Sequence, residues 1–172
     1  GTTAPNVVIP TQANVPAGTS IIRAWTTNPN GVADQDNAND TLETTICTAL
    51  SGPYTIGGAA ADFPDFSSAA SDLNECGIAG PVTFTVNPGT YPENVYLGVV
   101  AGASATNTIT FDGGDSATTR ITYITPNDTP TVWLQGTDWV RFQNITIENT
   151  GNNDAWAVVL SDTASNNSFD RV

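Results

Sequence analysis

Two cysteines, one acidic loop, a scatter of aspartates and a few tryptophans are the residues of this 172-residue chain that have chemistry to offer. Cys47 and Cys76 are an even pair. In an oxidising compartment they close one disulfide, and in a reducing one they are two separate buried thiols. A bridge would close a loop of about thirty residues and contribute roughly 3–4 kcal/mol in the chain-entropy description. The loop Asp34-Gln-Asp-Asn-Ala-Asn-Asp40 sets carboxylates Asp34, Asp36 and Asp40 among side-chain amides. Several such oxygens on a turn suit Ca²⁺, which makes calcium the one cofactor the residues suggest. The loop lacks the bidentate Glu and the placed Gly of an EF-hand. The competing reading is a solvated hairpin loop whose Asx side chains bond their own backbone.

Asp112, Asp115, Asp138, Asp154 and Asp162 recur through the second half, and paired carboxylates are what cleave glycosidic bonds. Each is equally a turn former. Arg120, Arg141 and Arg171 read as surface partners for nearby acids. Trp133, Trp139 and Trp156 lie close enough in sequence to build an aromatic strip for sugar rings, against the commoner fate of buried or edge packing. Asp40-Thr41-Leu42, Asp115-Ser116-Ala117 and Asp162-Thr163-Ala164 share an Asp-Ser/Thr-apolar pattern. It resembles the O-glycosylation site of some exported bacterial proteins, which implies Thr41, Ser116 and Thr163 as acceptors. Asn-X-Ser/Thr triplets begin at Asn39, Asn127, Asn144 and Asn166.

Composition removes whole classes of function. Seventeen acids against four basic residues, with no histidine, give a formal charge of −13. Such a surface repels phosphate backbones and anionic headgroups, so no nucleic acid is expected as a partner. No apolar run reaches the length of a membrane span, so no membrane insertion is expected. Without histidine the commonest general base is gone. The hydrophobic fraction of 39% is that of a folded chain. No charged-then-apolar leader precedes Gly1, which reads as a mature chain or an excised portion.

Residues 1–50 alternate in β fashion. Asn6-Val-Val-Ile9 is followed by a turn at 16–19, then Ser20-Ile-Ile-Arg-Ala-Trp25, the acidic loop, and a strand from Thr41 to Thr48 with Leu42 and Ile46 as its larger apolar residues. This order resembles the closing strands of an immunoglobulin-like module of the CARDB (cell-adhesion-related) type. The resemblance implies a sandwich whose first half is missing.

Residues 51–172 read differently. Phe66, Ala69, Ala70 and Leu73 fall at i, i+3, i+4 and i+7, one face of a short helix with Asp65 as N-cap and Gly77 as its stop. Val82-Thr-Phe-Thr-Val86 alternates as a strand. Pro88-Gly-Thr-Tyr91, Glu93 and the apolar Val95-Tyr-Leu97 follow. A capping helix, a strand, Pro-Gly-Thr-Tyr and a second strand resemble the entry to a pectin-lyase-like right-handed parallel β-helix. Ile121, Ile145 and Phe169 recur every twenty-four residues, and Leu134 and Val158 keep that step, close to the length of a solenoid coil. The stretches 138–151 and 155–172 each read as one coil.

The fold class expected is therefore all-β: partial Ig-like strands, a short capping helix, and a parallel β-helix interrupted in mid-coil at Val172. The function expected is a non-enzymatic, secreted or cell-surface structural and adhesive module of a large bacterial protein. Its partners would be other domains of the same long chain, identical subunits stacked into a fibre, or surface glycans. The alternative is the N-terminal part of a polysaccharide lyase or glycosidase whose catalytic coils lie further on. Lyases of this fold use a cationic base beside acidic calcium ligands, and this span contains no lysine.

Overall fold

A computed structural model describes residues 15–25, 41–124, 129–151 and 155–172. In chain order the elements are β1 (Gly18–Trp25), β2 (Thr41–Thr48), β3 (Leu50–Ile56) and α1 (Phe66–Cys76). The first full coil is β4 (Ile78–Val86), β5 (Gly89–Pro92) and β6 (Val95–Leu97). The second is β7 (Ile109–Asp112), β8 (Thr119–Tyr123) and β9 (Val132–Gln135). The third is β10 (Val140–Gln143), β11 (Thr146–Asn149) and β12 (Val158–Ser161), and β13 (Ser168–Asp170) opens the fourth. β1 and β2 form an antiparallel ribbon. The strands after it form a parallel β-solenoid of three sheets: β3-β4-β7-β10-β13, β5-β8-β11 and β6-β9-β12.

Strands this short cannot hold themselves together. Their stability comes from identical parity in every coil, which stacks like residue on like. β4 buries every second residue, Ile78, Gly80, Val82, Phe84 and Val86. Phe84 pairs in register with Phe111, Phe111 with Phe142, and Phe142 with Phe169. Their rings stack with centroids 4.8, 4.9 and 5.6 Å apart and planes within 13° of parallel. Those distances approach the spacing of neighbouring strands, so sheet geometry itself sets the stack. Tyr54 of β3 extends it below Phe84 at 5.7 Å. Isoleucine, valine and leucine make the parallel columns Ile121–Ile147, Val95–Val132–Val158 and Leu97–Leu134–Leu160.

These registers replace the twenty-four-residue step. Ile121 lies under Ile147 rather than Ile145, Phe169 lies on Phe142, and Val158 lies on Val132 while Leu134 takes Leu160. Stacked phenylalanines are 27, 31 and 27 residues apart, and Val95 and Val132 are 37 apart. The strands keep their phase while the loops between them vary, so no fixed period exists to be read. For the same reason 138–151 supplies two strands of the third coil, and 155–172 straddles the third and fourth. Pro88-Gly-Thr-Tyr91, expected to turn the chain into its first coil, instead runs into a strand, Gly89–Pro92, paired with Thr119–Thr122.

The buried polar side chains all meet backbone acceptors among the described residues. Thr119, Thr131 and Thr137 are fully buried, and each hydroxyl donates to a backbone carbonyl, of Gly113, Glu148 and Leu97 respectively. At Gly102 (φ +86°) a Cβ would collide with the carbonyl oxygen of Ile78, so only glycine fits that crossing.

The helix closes one end as its sequence pattern requires. Asp65 accepts from the Ser68 amide at 2.8 Å, Gly77 turns out at φ 66°, and Phe66, Ala69, Ala70 and Leu73 are buried against the coils. Two further side chains complete the cap. Asn74 takes the place of a missing neighbour strand for β6, donating to the Tyr96 carbonyl (3.1 Å) and accepting from the Gly98 amide (2.9 Å). Glu93, from the corner before β6, accepts from the amides of Phe66 (3.0 Å) and Ser67 (2.7 Å). A carboxylate there meets orphan amides and the positive end of the helix together. Glu93→Ala is expected to lower stability by about 1–2 kcal/mol, with Glu93→Gln closer to the parent, as urea titration would register.

Candidate functional site

Cys47 and Cys76 are joined in a disulfide with Cα atoms 5.2 Å apart. The bridge ties β2 to the last residue of α1. Thr19 reinforces it from β1, its hydroxyl donating to Asp72 Oδ1 at 2.9 Å. The ribbon is otherwise open, with Ile21, Ile22, Trp25 and Leu42 all exposed.

Asp34, Asp36 and Asp40, the expected calcium ligands, lie outside the described residues, as do Asn6–Ile9, Asn39, Asn127 and Asp154. Among the described residues there is no group of three or more His, Cys, Asp or Glu able to hold a metal ion.

The remaining coil carboxylates each hold a turn or join two coils. Asp115 accepts from the Ala117 amide. Asp138 accepts from the amide and hydroxyl of Ser165 one coil on. Asp162 accepts from Gln135. Asp112 gathers the most: Asn144 Nδ2 and Gln143 Nε2, each at 2.8 Å, and the Gly114 amide at 2.9 Å. Burial pushes the Asp112 carboxyl up, but those donors and the Arg171 charge outweigh it and hold it below the ordinary carboxylate range. Because its folded value is lowered, its stabilisation is present above the unfolded value of ~3.9 and fades as pH falls through the folded one. Asp112→Asn, which sets an NH₂ against donors, is expected to cost about 1–3 kcal/mol at pH 7. Denaturation at pH 3 should show a smaller gap between variant and parent. Arg120 and Arg171 pair with Glu148 (3.0 Å) and Asp170 (3.4 Å), as surface cations do.

The three tryptophans sit at different places on the coil. Trp133 points outward from β9, Trp139 occupies the entry to β10 at φ 63°, and Trp156 lies exposed before β12. The aromatic neighbour of Trp133 is a residue the sequence reading passed over, Tyr96 of β6, at 5.6 Å and 74°. Register explains the omission: Tyr96 and Trp133 are Cα partners across a 37-residue step, invisible without the fold.

Of the acceptor candidates, Thr41 is exposed at the start of β2 and Ser116 is partly buried in the turn before β8. Thr163 is exposed in a turn where it and Asp162 both have positive φ, 66° and 50°. A β-branched residue is strained there. Thr163→Asn, which tolerates that region, is expected to raise stability by about 0.5–1 kcal/mol, visible as a higher Tm. Asn144 commits its amide to Asp112, while Asn166 is exposed.

A shallow crevice of about 500 Å³ opens between the cap and β5, walled by Gly57, Gly58, Pro64, Tyr91, Pro92 and Glu93. Tyr91 donates to the Asn87 carbonyl, and burial followed by the nearby Glu93 charge raises its hydroxyl above the usual tyrosine value. Both acids of the crevice, Asp65 and Glu93, are engaged by helix amides. Also among the described residues, no helix is long and apolar enough to cross a membrane. Comparison with protein-family models, with curated proteins and with solved structures gave no match to this chain.

Proposed function

We propose that this chain is a rigid structural and adhesive module of a secreted or cell-surface protein. The observation that carries the reading is the unbroken column Tyr54–Phe84–Phe111–Phe142–Phe169, running the length of one sheet and anchored at the capped end. A solenoid in which each coil bonds the next through backbone and core is stiff along its axis. The disulfide favours an oxidising compartment, and the charge of −13 favours solubility at high local density. We read the ribbon as the closing hairpin of an Ig-like unit and the solenoid as right-handed and pectin-lyase-like, following the general preference of parallel crossovers. Neighbouring domains of a longer chain, or identical subunits in a fibre, are the partners such a rod would take. Thr41 and Thr163, both exposed, are its O-glycosylation acceptors.

The test pairs two readouts on one sample. Hydrogen exchange is expected to show amides of β4, β7 and β10 protected to the level of global unfolding. Incubation with a panel of plant and microbial polysaccharides is expected to release neither reducing ends nor unsaturated products. Depolymerisation of any of them, or fast exchange through the coils, would overturn the reading.

A further inference from the structure

We propose that the outer face of β6, β9 and β12 binds a neutral hexose polysaccharide, with one pyranose ring stacked on the Tyr96–Trp133 pair. This rests on the adhesive reading above and supplies that module with its ligand. Tyr96, Trp133 and Val159 are register partners on three successive coils and form one outward column. The two rings pack edge to face at 5.6 Å and 74°, so each fixes the orientation of the other. Both are pinned. Tyr96 Oη donates to Gln135 Oε1 at 2.9 Å, and Trp133 Nε1 donates to Ser161 Oγ at 2.9 Å. In each case the bond runs to the residue two places beyond the ring's own partner, one coil on, so the same diagonal tie occurs twice. Rings held this way lose little freedom when a ligand arrives.

The ties also leave a particular set of valences. Tyr96 Oη can still accept, Ser161 Oγ can still donate, Gln135 keeps one N–H, and Asp162 keeps one carboxylate oxygen after accepting from Gln135. Donors and acceptors interleaved beside apolar rings match hydroxyl groups, which do both, on a ring with an apolar C–H face. Tyr96 is 40% exposed and Trp133 is half-buried, so the Tyr96 ring is the more open side of the pair. Coils repeat every ~4.8 Å, near the rise of an extended hexose chain, so successive sugars can follow successive coils. Charge decides the class: a chain at −13 with four cations in total disfavours uronates and sulfated glycans.

The test is titration calorimetry of the full 172-residue chain with cellohexaose and with mannohexaose, and with polygalacturonate as the charged comparison. At least one neutral hexaose is expected to bind saturably, polygalacturonate not to bind, and Tyr96→Ala to weaken binding about tenfold or more. Tyr96→Phe, which keeps the ring, is expected to retain most of the affinity, and Arg141→Gln on another sheet to leave it unchanged. Binding of neither hexaose, preference for polygalacturonate, or indifference to Tyr96→Ala would overturn the site. A chain that binds neither sugar while keeping its exchange protection loses this site and leaves the structural reading standing. Cleavage of a hexaose would overturn that reading and this inference with it.

Discussion

Phe111→Ala is expected to cost about 3–5 kcal/mol, the range for truncating a fully buried phenylalanine. Phe111 is fully buried between Phe84 and Phe142, at 4.8 and 4.9 Å, and touches Phe66 of the helix at 5.7 Å. Truncation removes the ring's transfer free energy and leaves a cavity that four-residue strands, fixed by hydrogen bonds on both sides, are poorly able to collapse. A domain of this size has about 5–15 kcal/mol in total, so the variant retains a small fraction of it. Urea titration at fixed slope measures the loss. Phe169, in the same column but 37% exposed, provides the contrast. Phe169→Ala is expected to cost well under half as much, and equal costs would mean that the column is not graded as described.

Removing the disulfide is the second large effect. Cys47→Ser with Cys76→Ser opens a bridge of sequence separation 29 and is expected to cost about 3–4 kcal/mol by chain entropy. The damage should be uneven. An isolated two-stranded ribbon is marginal in water, and β1 with β2 is tied to the helix by the contacts of Thr19 with Asp72 and Glu75 once the bridge is gone. Limited proteolysis is therefore expected to cut within β1 and β2 in the double variant while β4 to β10 resist. Uniform digestion of both regions would mean that the bridge supports the solenoid itself.

How much of this was legible in the sequence differs by element. The cap was readable because its signals are local: Asp65, the 3–4 spacing of Phe66, Ala69, Ala70 and Leu73, and Gly77 all lie within thirteen residues. The strands Thr41–Thr48 and Val95–Leu97 were readable from alternation, and the cysteine pairing from number and composition. β3 was missed because Gly52 and Pro53 break its apolar alternation, although its register with β4 places Tyr54 on Phe84. The coil step was misread because loops of unequal length separate strands in phase, so a mean spacing of apolar residues does not identify stacked pairs. Trp133 was half legible. Its residue type was evident, but its partner Tyr96 belongs to another coil and becomes a neighbour only through that register.

The stacking order is the claim on which the rest depends, and NOE spectroscopy of the ring protons tests it most directly. The structure predicts ring-to-ring cross-peaks linking Phe84 with Phe111, Phe111 with Phe142 and Phe142 with Phe169, together with contacts between Ile121 and Ile147. Contacts from Ile121 to Ile145 in place of those to Ile147, with no peaks among the phenylalanine rings, would contradict the solenoid register and everything built on it.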